Sequence, residues 1–365
     1  VIERVFGSRK ELKLVKTRIL LIAVFGAVVG LGQEQPKPKR NSDRAEWMYE
    51  AQWGVFCHYL SDIALKGQEH TPENWNAAVD SFDVEALAEQ LASVKARYFV
   101  LTLGQNSGYY CSPNAAYDRI VGNAASTCAR RDLVADLADA LVLRGIRLMV
   151  YLPAGAPDRD PKAMQALEWA PGKYPIWSHP EGGPEGGDPR FDAFQRKWEE
   201  IIGEWSTRWG ANVSGWWFDG CYYPIAMYQH DDPPNFASFA GAARAGNPDS
   251  IVAFNPGVFD PVITLSSEED YTAGEINDAE KVQCPGRWLN GAQFQMLSFL
   301  GPQWAGSPPR YSDEQVIAIT RRILTDGGIV TWEVPISTTG VIPAEFVAQL
   351  NALGASLENE PVERE

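Results

Sequence analysis

The stretch Gly215-Trp216-Trp217-Phe218-Asp219-Gly220 delivers one carboxylate at the end of a short apolar run and then breaks at a glycine. Such a run reads as a buried strand, and parallel α/β folds place reacting groups at the C-terminal ends of their strands. Asp219 reads either as a catalytic carboxylate or as the cap of the next turn, a frequent use of Asp before Gly. Other groups able to do chemistry close other apolar runs: His58 near the end of 52–60, Asn106 after 97–103, Asn255 after 250–254, Glu275 at the end of 268–275 and Glu333 in 328–334. If those ends meet at one mouth, two facing carboxylates supply the parts of glycoside hydrolysis. One attacks or supports the anomeric carbon and the other protonates the leaving oxygen.

Other chemistries find less support. The four histidines, His58, His70, His179 and His230, show neither HExxH nor paired spacing, so zinc hydrolysis is not indicated. There is no GxSxG elbow, and the five cysteines lack metal-ligand spacing. Cys111 with Cys128, and Cys221 with Cys284, are candidate disulfides if the chain is exported. No cofactor or metal is called for. A formal net charge of -15 argues against a nucleic-acid or anionic-membrane partner. The 13 Trp, 13 Tyr and 15 Phe suit a protein that stacks rings on sugars, although many must be core.

The elements that would position these groups alternate. Residues 52–60 (QWGVFCHYL), 97–103, 146–152, the run ending at Asp219, 250–254, 268–275, 293–300 and 328–334 are strand candidates. Helical patterns separate most of them: 84–95 capped by Asp83, 131–144 stopping at Gly145, 191–209, 236–245, 313–326 and a final helix over 343–357. The tryptophan stripe of 191–209 reads as core, not as a ligand surface. Residues 153–189 are dense in Pro and Gly and read as an elaborated loop, whose Trp169, Tyr174, Trp177 and His179 either form a binding wall or pin the loop. Eight strand candidates alternating with helices predict a single-domain (β/α)8 TIM-type barrel over 45–358, with an open doubly wound sheet as runner-up. Residues 1–32 have a basic stretch followed by an apolar run too short for a membrane span, the layout of a signal peptide for export to a periplasmic or extracellular space. Residues 33–44 read as a linker and 359–365 as a tail. Composition leaves the oligomeric state open.

In order along the chain, several motifs resemble the α-L-fucosidases of glycoside hydrolase family 29. They are Trp53-Gly54-Val55-Phe56-Cys57-His58, Ser81-Phe82-Asp83 with Lys95-Ala96-Arg97-Tyr98-Phe99-Val100-Leu101-Thr102, Arg131-Asp132-Leu133-Val134 with Arg144-Gly145-Ile146 and Val150-Tyr151, Trp217-Phe218-Asp219-Gly220, and Gly328-Ile329-Val330 with Gly340-Val341-Ile342-Pro343. The resemblance covers roughly 47–357. It implies a retaining glycoside hydrolase with Asp219 as nucleophile and Glu275 as acid/base, Glu269 being the reserve. His58 and Asn106 would orient the sugar, Tyr109, Trp217 and Trp332 would stack on it or line its pocket, and Glu333 would contact it. The chain departs from the family at Gln105-Asn106-Ser107-Gly108, where relatives carry two adjacent sugar-gripping histidines, and at Trp332-Glu333, where they carry an amide-rich stretch. It also ends without the β-sandwich that many relatives append. Two further readings stay open: a barrel that binds carbohydrate without cleaving it, and an endo-acting hydrolase of a fucose-containing polysaccharide.

Overall fold

A computed structural model describes residues 41–171 and 190–364, all within one compact unit, Lys39–Glu365. The expected signal segment, most of the linker, and Tyr174, Trp177 and His179 lie outside the described residues. The helix Asn41–Ala51 starts inside the stretch read as a linker. The described residues contain nine strands: β1 Trp53–Cys57, β2 Tyr98–Thr102, β3 Arg147–Pro153, β4 Val213–Asp219, β5 Ile251–Phe254, β6 Trp288–Leu289, β7 Ala292–Gln293, β8 Gln295–Phe299 and β9 Ile329–Glu333. β6 and β7 form a small antiparallel pair, and the other seven make one parallel sheet in the order β5-β4-β3-β2-β1-β9-β8. No helix among the described residues is long and apolar enough to cross a membrane.

Helices begin where a side chain takes up their free N–H groups. Asp83 accepts from Ala86 N at 3.0 Å and Asp132 from Ala135 N at 3.1 Å, opening the helices Val84–Ser93 and Leu133–Val142. Asn235 with Ser238, and Ser312 with Gln315, form capping boxes. Within the long loop, Asp160 caps a further helix, Pro161–Leu167. Trp169 is buried there against Phe194, ring centroids 4.4 Å apart, so this loop aromatic pins the chain.

Alternation along the strands divides the core into two layers. Trp53, Val55, Phe99, Leu101, Leu148, Val150, Trp216, Phe218, Val330 and Trp332 pack on the side of the helices. The alternate residues Phe56, Tyr98, Val100, Met149, Tyr151, Trp217, Leu297 and Ile329 form a second, enclosed cluster. The helix Asn41–Ala51 contributes Met48 to that cluster. Its Trp47 packs edge-on to Tyr98 and under Arg147 at the start of β2 and β3, so the helix covers the N-terminal ends of the strands.

Between β5 and β8 the expected strand over 268–275 is not regular, and its side chains explain why. The Asp270 N–H donates to Val252 O at 2.9 Å, and Thr272 N donates to Gln293 O at 2.9 Å. The next backbone partners are then replaced: Val252 N donates to Asp270 Oδ2, Phe254 N to Glu269 Oε1, and Gln295 N to the Thr272 hydroxyl, which donates in turn to Gln295 O. Backbone pairing resumes where Leu297 N donates to Gly274 O and Ile276 N to Leu297 O. Carboxylates and a hydroxyl thus stand in for peptide groups, and the segment is bonded to both neighbours without forming a ladder. Gly274 has φ +62°, and a Cβ there would meet Gln295 O at 1.9 Å.

Asp270 is fully buried and holds Arg44 Nε at 2.8 Å and Arg244 at 2.7 Å, fixing the N-terminal helix and the helix Phe236–Ala243 to this segment. Asp270→Ala removes the buried carboxylate that two guanidinium groups and the Val252 N–H share. It should cost about 3–5 kcal/mol of unfolding free energy, measurable as a lower urea midpoint. An unchanged midpoint would show that the cluster does not hold the fold.

The cysteine pairings expected from the sequence are not present. All five thiols are free; Cys111 and Cys221 donate to the carbonyls of Thr102 and Phe218 at 3.7 Å, at the C-terminal ends of β2 and β4.

Candidate active site

At the C-terminal ends of the strands, Asp219 from β4, Asn255 after β5 and Glu275 from the irregular segment come together. Asn255 is fully buried, and its Oδ1 accepts from Gly257 N at 3.1 Å. That bond turns the amide so that Nδ2 faces the two carboxylates. One of its hydrogens goes to Asp219 Oδ1 at 2.9 Å and the other to Glu275 Oε2 at 2.6 Å. The two acceptor oxygens can be no farther apart than those bonds laid end to end, about 5.5 Å, whereas carboxyl groups that admit a water between them stand about 6.5–9.5 Å apart.

The second oxygen of Asp219 accepts from the Tyr151 hydroxyl at 2.5 Å, and that hydroxyl accepts from Gln105 Nε2 at 2.5 Å. Burial, then the Asp219 charge, raise the Tyr151 phenol well above its usual range, so it stays a donor. Tyr151 stacks on Trp217, centroids 5.3 Å apart, and Trp217 Nε1 donates to Ala273 O at 3.0 Å. Burial and then the charge of Asp219 push the Glu275 carboxyl up to about 7, against the pull of the Asn255 amide and of His58. A carboxylic acid poised there can give a proton at neutral pH.

His58 stands just past β1. Its Nδ1 lies 3.0 Å from Glu333 Oε1, and the same oxygen accepts from Ala305 N at 2.9 Å. Glu333 is fully buried behind the histidine. His58, Trp217, Asp219 and Glu275 line one cavity of about 250 Å³ together with Tyr151, Gln105, Phe56, Leu60, Ile63, Leu297, Trp304 and Ala305.

The remaining expected residues fall elsewhere. Trp332 is turned to the helix side, where its Nε1 donates to Thr320 Oγ1 at 2.9 Å, so it does not line the cavity. Tyr109 donates its hydroxyl to His70 O at 2.8 Å and packs edge-on to Trp75, also away from the cavity. Asn106 sits beyond it, its carbonyl accepting from Arg159 N at 3.0 Å. Glu269 is buried, its oxygens take the N–H groups of Phe254, Leu265 and Ser266, and it does not line the cavity. Tyr151, Gln105 and Trp304 carried no expectation, and Asn255 none beyond its strand end. Tyr151 pairs in register with Trp217 across β3 and β4 and so shares its face, a relation that the apolar run alone does not signal.

Because the neighbouring charge helps to raise Glu275, Asp219→Asn should lower the titration midpoint of the Glu275 carboxyl from about 7. Carbon NMR of the labelled side chain reads this directly. A midpoint that stays put or rises would show that the two carboxylates do not sense each other.

Comparison with known proteins follows the geometry. The profile described as Alpha-L-fucosidase matches residues 33–360. None of the curated proteins matches. The endo-fucoidan hydrolase MfFcnA4 of glycoside hydrolase family 107 shares the fold at TM-score 0.66 and 17% identity, over 89% of this chain and 55% of its own. P5AFcnA, of the same family, aligns at TM-score 0.63 and 14% identity, over 88% of this chain and 94% of its own. The α-L-fucosidase isoenzyme 1 from Paenibacillus thiaminolyticus aligns at 0.57 and 15%, over 88% and 76%. The chain thus spans little more than half the length of MfFcnA4. At these identities the structural likeness speaks for the fold, and the profile match along nearly the whole sequence places the chain in the α-L-fucosidase family.

Proposed function

We propose that this chain is a retaining glycoside hydrolase acting on an α-L-fucoside or a related deoxy sugar, with Asp219 as nucleophile and Glu275 as acid/base. The observation that carries the reading is the single Asn255 amide shared by both carboxylates, which keeps one oxygen of each within at most about 5.5 Å of the other, compatible with the close spacing of about 5–5.5 Å between the carboxyl groups of retaining pairs. The fold reading that goes with it is a closed (β/α)8 barrel in which 270–276 serves as the irregular eighth stave between β5 and β8.

In the first step an Asp219 oxygen attacks the anomeric carbon while Glu275 gives its proton to the departing oxygen. In the second, Glu275 takes a proton from water, and that water displaces Asp219 from the sugar. Tyr151 and Asn255 hold one oxygen each of the nucleophile. Leu60, Ile63 and Leu297 give the cavity an apolar side suited to the methyl of a deoxy sugar, and Trp217 and Trp304 offer flat faces. The described residues lining it include no Lys or Arg, which favours a neutral ring over a sulfated one. The names of the similar structures, fucosidases and fucoidan hydrolases, point to the same sugar. The layout of residues 1–32 supports export, with oligosaccharide or polysaccharide as the partner.

On an aryl α-L-fucoside, Glu275→Gln should lower turnover by roughly 10²–10⁴-fold and Asp219→Asn should abolish it. Proton NMR of the first-formed sugar should show the α anomer. An Asp219→Asn variant that keeps its turnover, or a β product, would end this assignment. Since the acid must carry its proton in the first step, kcat/KM should fall as pH rises through about 7, the value to which Glu275 is raised. A profile flat from pH 5 to about 9 would mean that another group is the acid.

A further inference from the structure

Glu333 does not line the cavity, yet it reaches two residues that do, His58 and Ala305. Its backbone is held on both sides, level with Phe56 on β1 and Phe299 on β8, so the carboxyl acts from a fixed base. Oε1 accepts from Ala305 N at 2.9 Å and faces His58 Nδ1 at 3.0 Å. Oε2 is buried and has no hydrogen-bond partner among the described residues. The Ala305 N–H can only donate, which commits Oε1 to accepting. A proton on Oε2 would sit buried with nothing to receive it, so the hydrogen between Glu333 and His58 belongs on Nδ1. The surrounding rings cannot make this choice. Phe56, Trp304 and Tyr151 enclose the imidazole at centroid distances of 4.7, 5.7 and 6.0 Å, but an imidazole turned over fills nearly the same space. Only hydrogen bonding decides which nitrogen faces which way. Ala305 is held at φ +53°, in the left-handed region that L residues rarely adopt, and that turn aims its N–H at the same oxygen.

We propose that Glu333 is a positioning residue, which keeps the His58 proton on Nδ1 and leaves Nε2 as a bare acceptor for one hydroxyl of the sugar. The sugar in this proposal rests on the glycosidase reading given above. With Nδ1 spent on Glu333, Nε2 is the polar atom that His58 has left for the cavity it lines. An accepting nitrogen selects a hydroxyl, because an ether or carbonyl oxygen has no hydrogen to give it. Glu333 thus sets what the site recognises without touching the substrate. The same oxygen, through Ala305, also sets the place of Trp304 beside the imidazole.

The test is nitrogen NMR of labelled imidazoles, with the His58 signals assigned by their loss in His58→Gln. Spectra taken up to about pH 10 separate a ring with its one proton on Nδ1 from a ring with it on Nε2. The unsubstituted chain should carry the proton on Nδ1. Glu333→Gln should keep it there, since a carbonyl oxygen can still accept both N–H groups, and Glu333→Leu should move it largely to Nε2. On an aryl α-L-fucoside, Glu333→Leu should raise KM about 3- to 10-fold and change kcat by less, while Glu333→Gln stays near the unsubstituted chain. A proton on Nε2 in the unsubstituted chain would overturn the positioning role, and decides on its own should Glu333→Leu not fold. A tautomer that Glu333→Leu leaves in place, or one KM for all three chains, would overturn it as well. A proton on Nδ1 that Glu333→Leu displaces, in a chain that turns over no fucoside, would overturn the glycosidase reading and leave the positioning of His58 standing.

Discussion

The site hangs on one neutral amide placed between two acids. Asn255 can serve Asp219 and Glu275 at once because its carbonyl is already engaged by Gly257, leaving both amide hydrogens for the carboxylates. A charged residue in its place would merge with the pair it separates: a lysine would neutralise it, and a third carboxylate would compete for the same protons. An amide donates to both without adding charge. Burial and the charge of Asp219 then raise Glu275 towards neutrality, so one pair of carboxyl groups can divide into a nucleophile and an acid.

Around that pair the sheet works as a frame with one soft edge. β3, β4 and β9 carry Tyr151, Asp219 and Glu333, and His58 follows β1, on parallel ladders whose registers fix which residues share a level, the β3–β4 pair shifting once at Leu148/Met149. Glu275 sits instead on a segment where side chains replace peptide partners. Glu333 has an analogous framing role on the opposite wall. A single oxygen steadies both the His58 ring and the backbone beside Trp304, two parts of the cavity that come from different elements.

Much of this arrangement could be read from the residues in order. Strand ends carrying Asp219, His58 and Glu275 were visible as apolar runs closed by a polar group, and the caps Asp83 and Asp132 marked where helices begin. Misreadings arose where alternation was not followed through. Trp332 and Glu333 are adjacent on one strand and cannot face the same side, and the indole went to the helices while the carboxylate turned to the site. Tyr151 escaped notice because an aromatic inside an apolar run looks like core until its register with Trp217 is known. Glu269 drew attention as a carboxylate near Glu275, yet its task of accepting three backbone N–H groups depends on an unladdered edge, which no periodicity signals.

The Thr272 hydroxyl and Gly274 also decide where the Glu275 carboxyl sits. Thr272 grips both polar groups of Gln295, and Gly274 lets the backbone come closer to Gln295 O than any side chain would permit. Together they act as a detent that sets one register, with Glu275 next in line. A slip of a single residue would turn its carboxyl out of the mouth. The position of the Glu275 carboxyl is therefore governed from behind the cavity, by residues that do not line it. Substitutions at these positions would shift the Glu275 carboxyl while leaving the lining of the cavity intact.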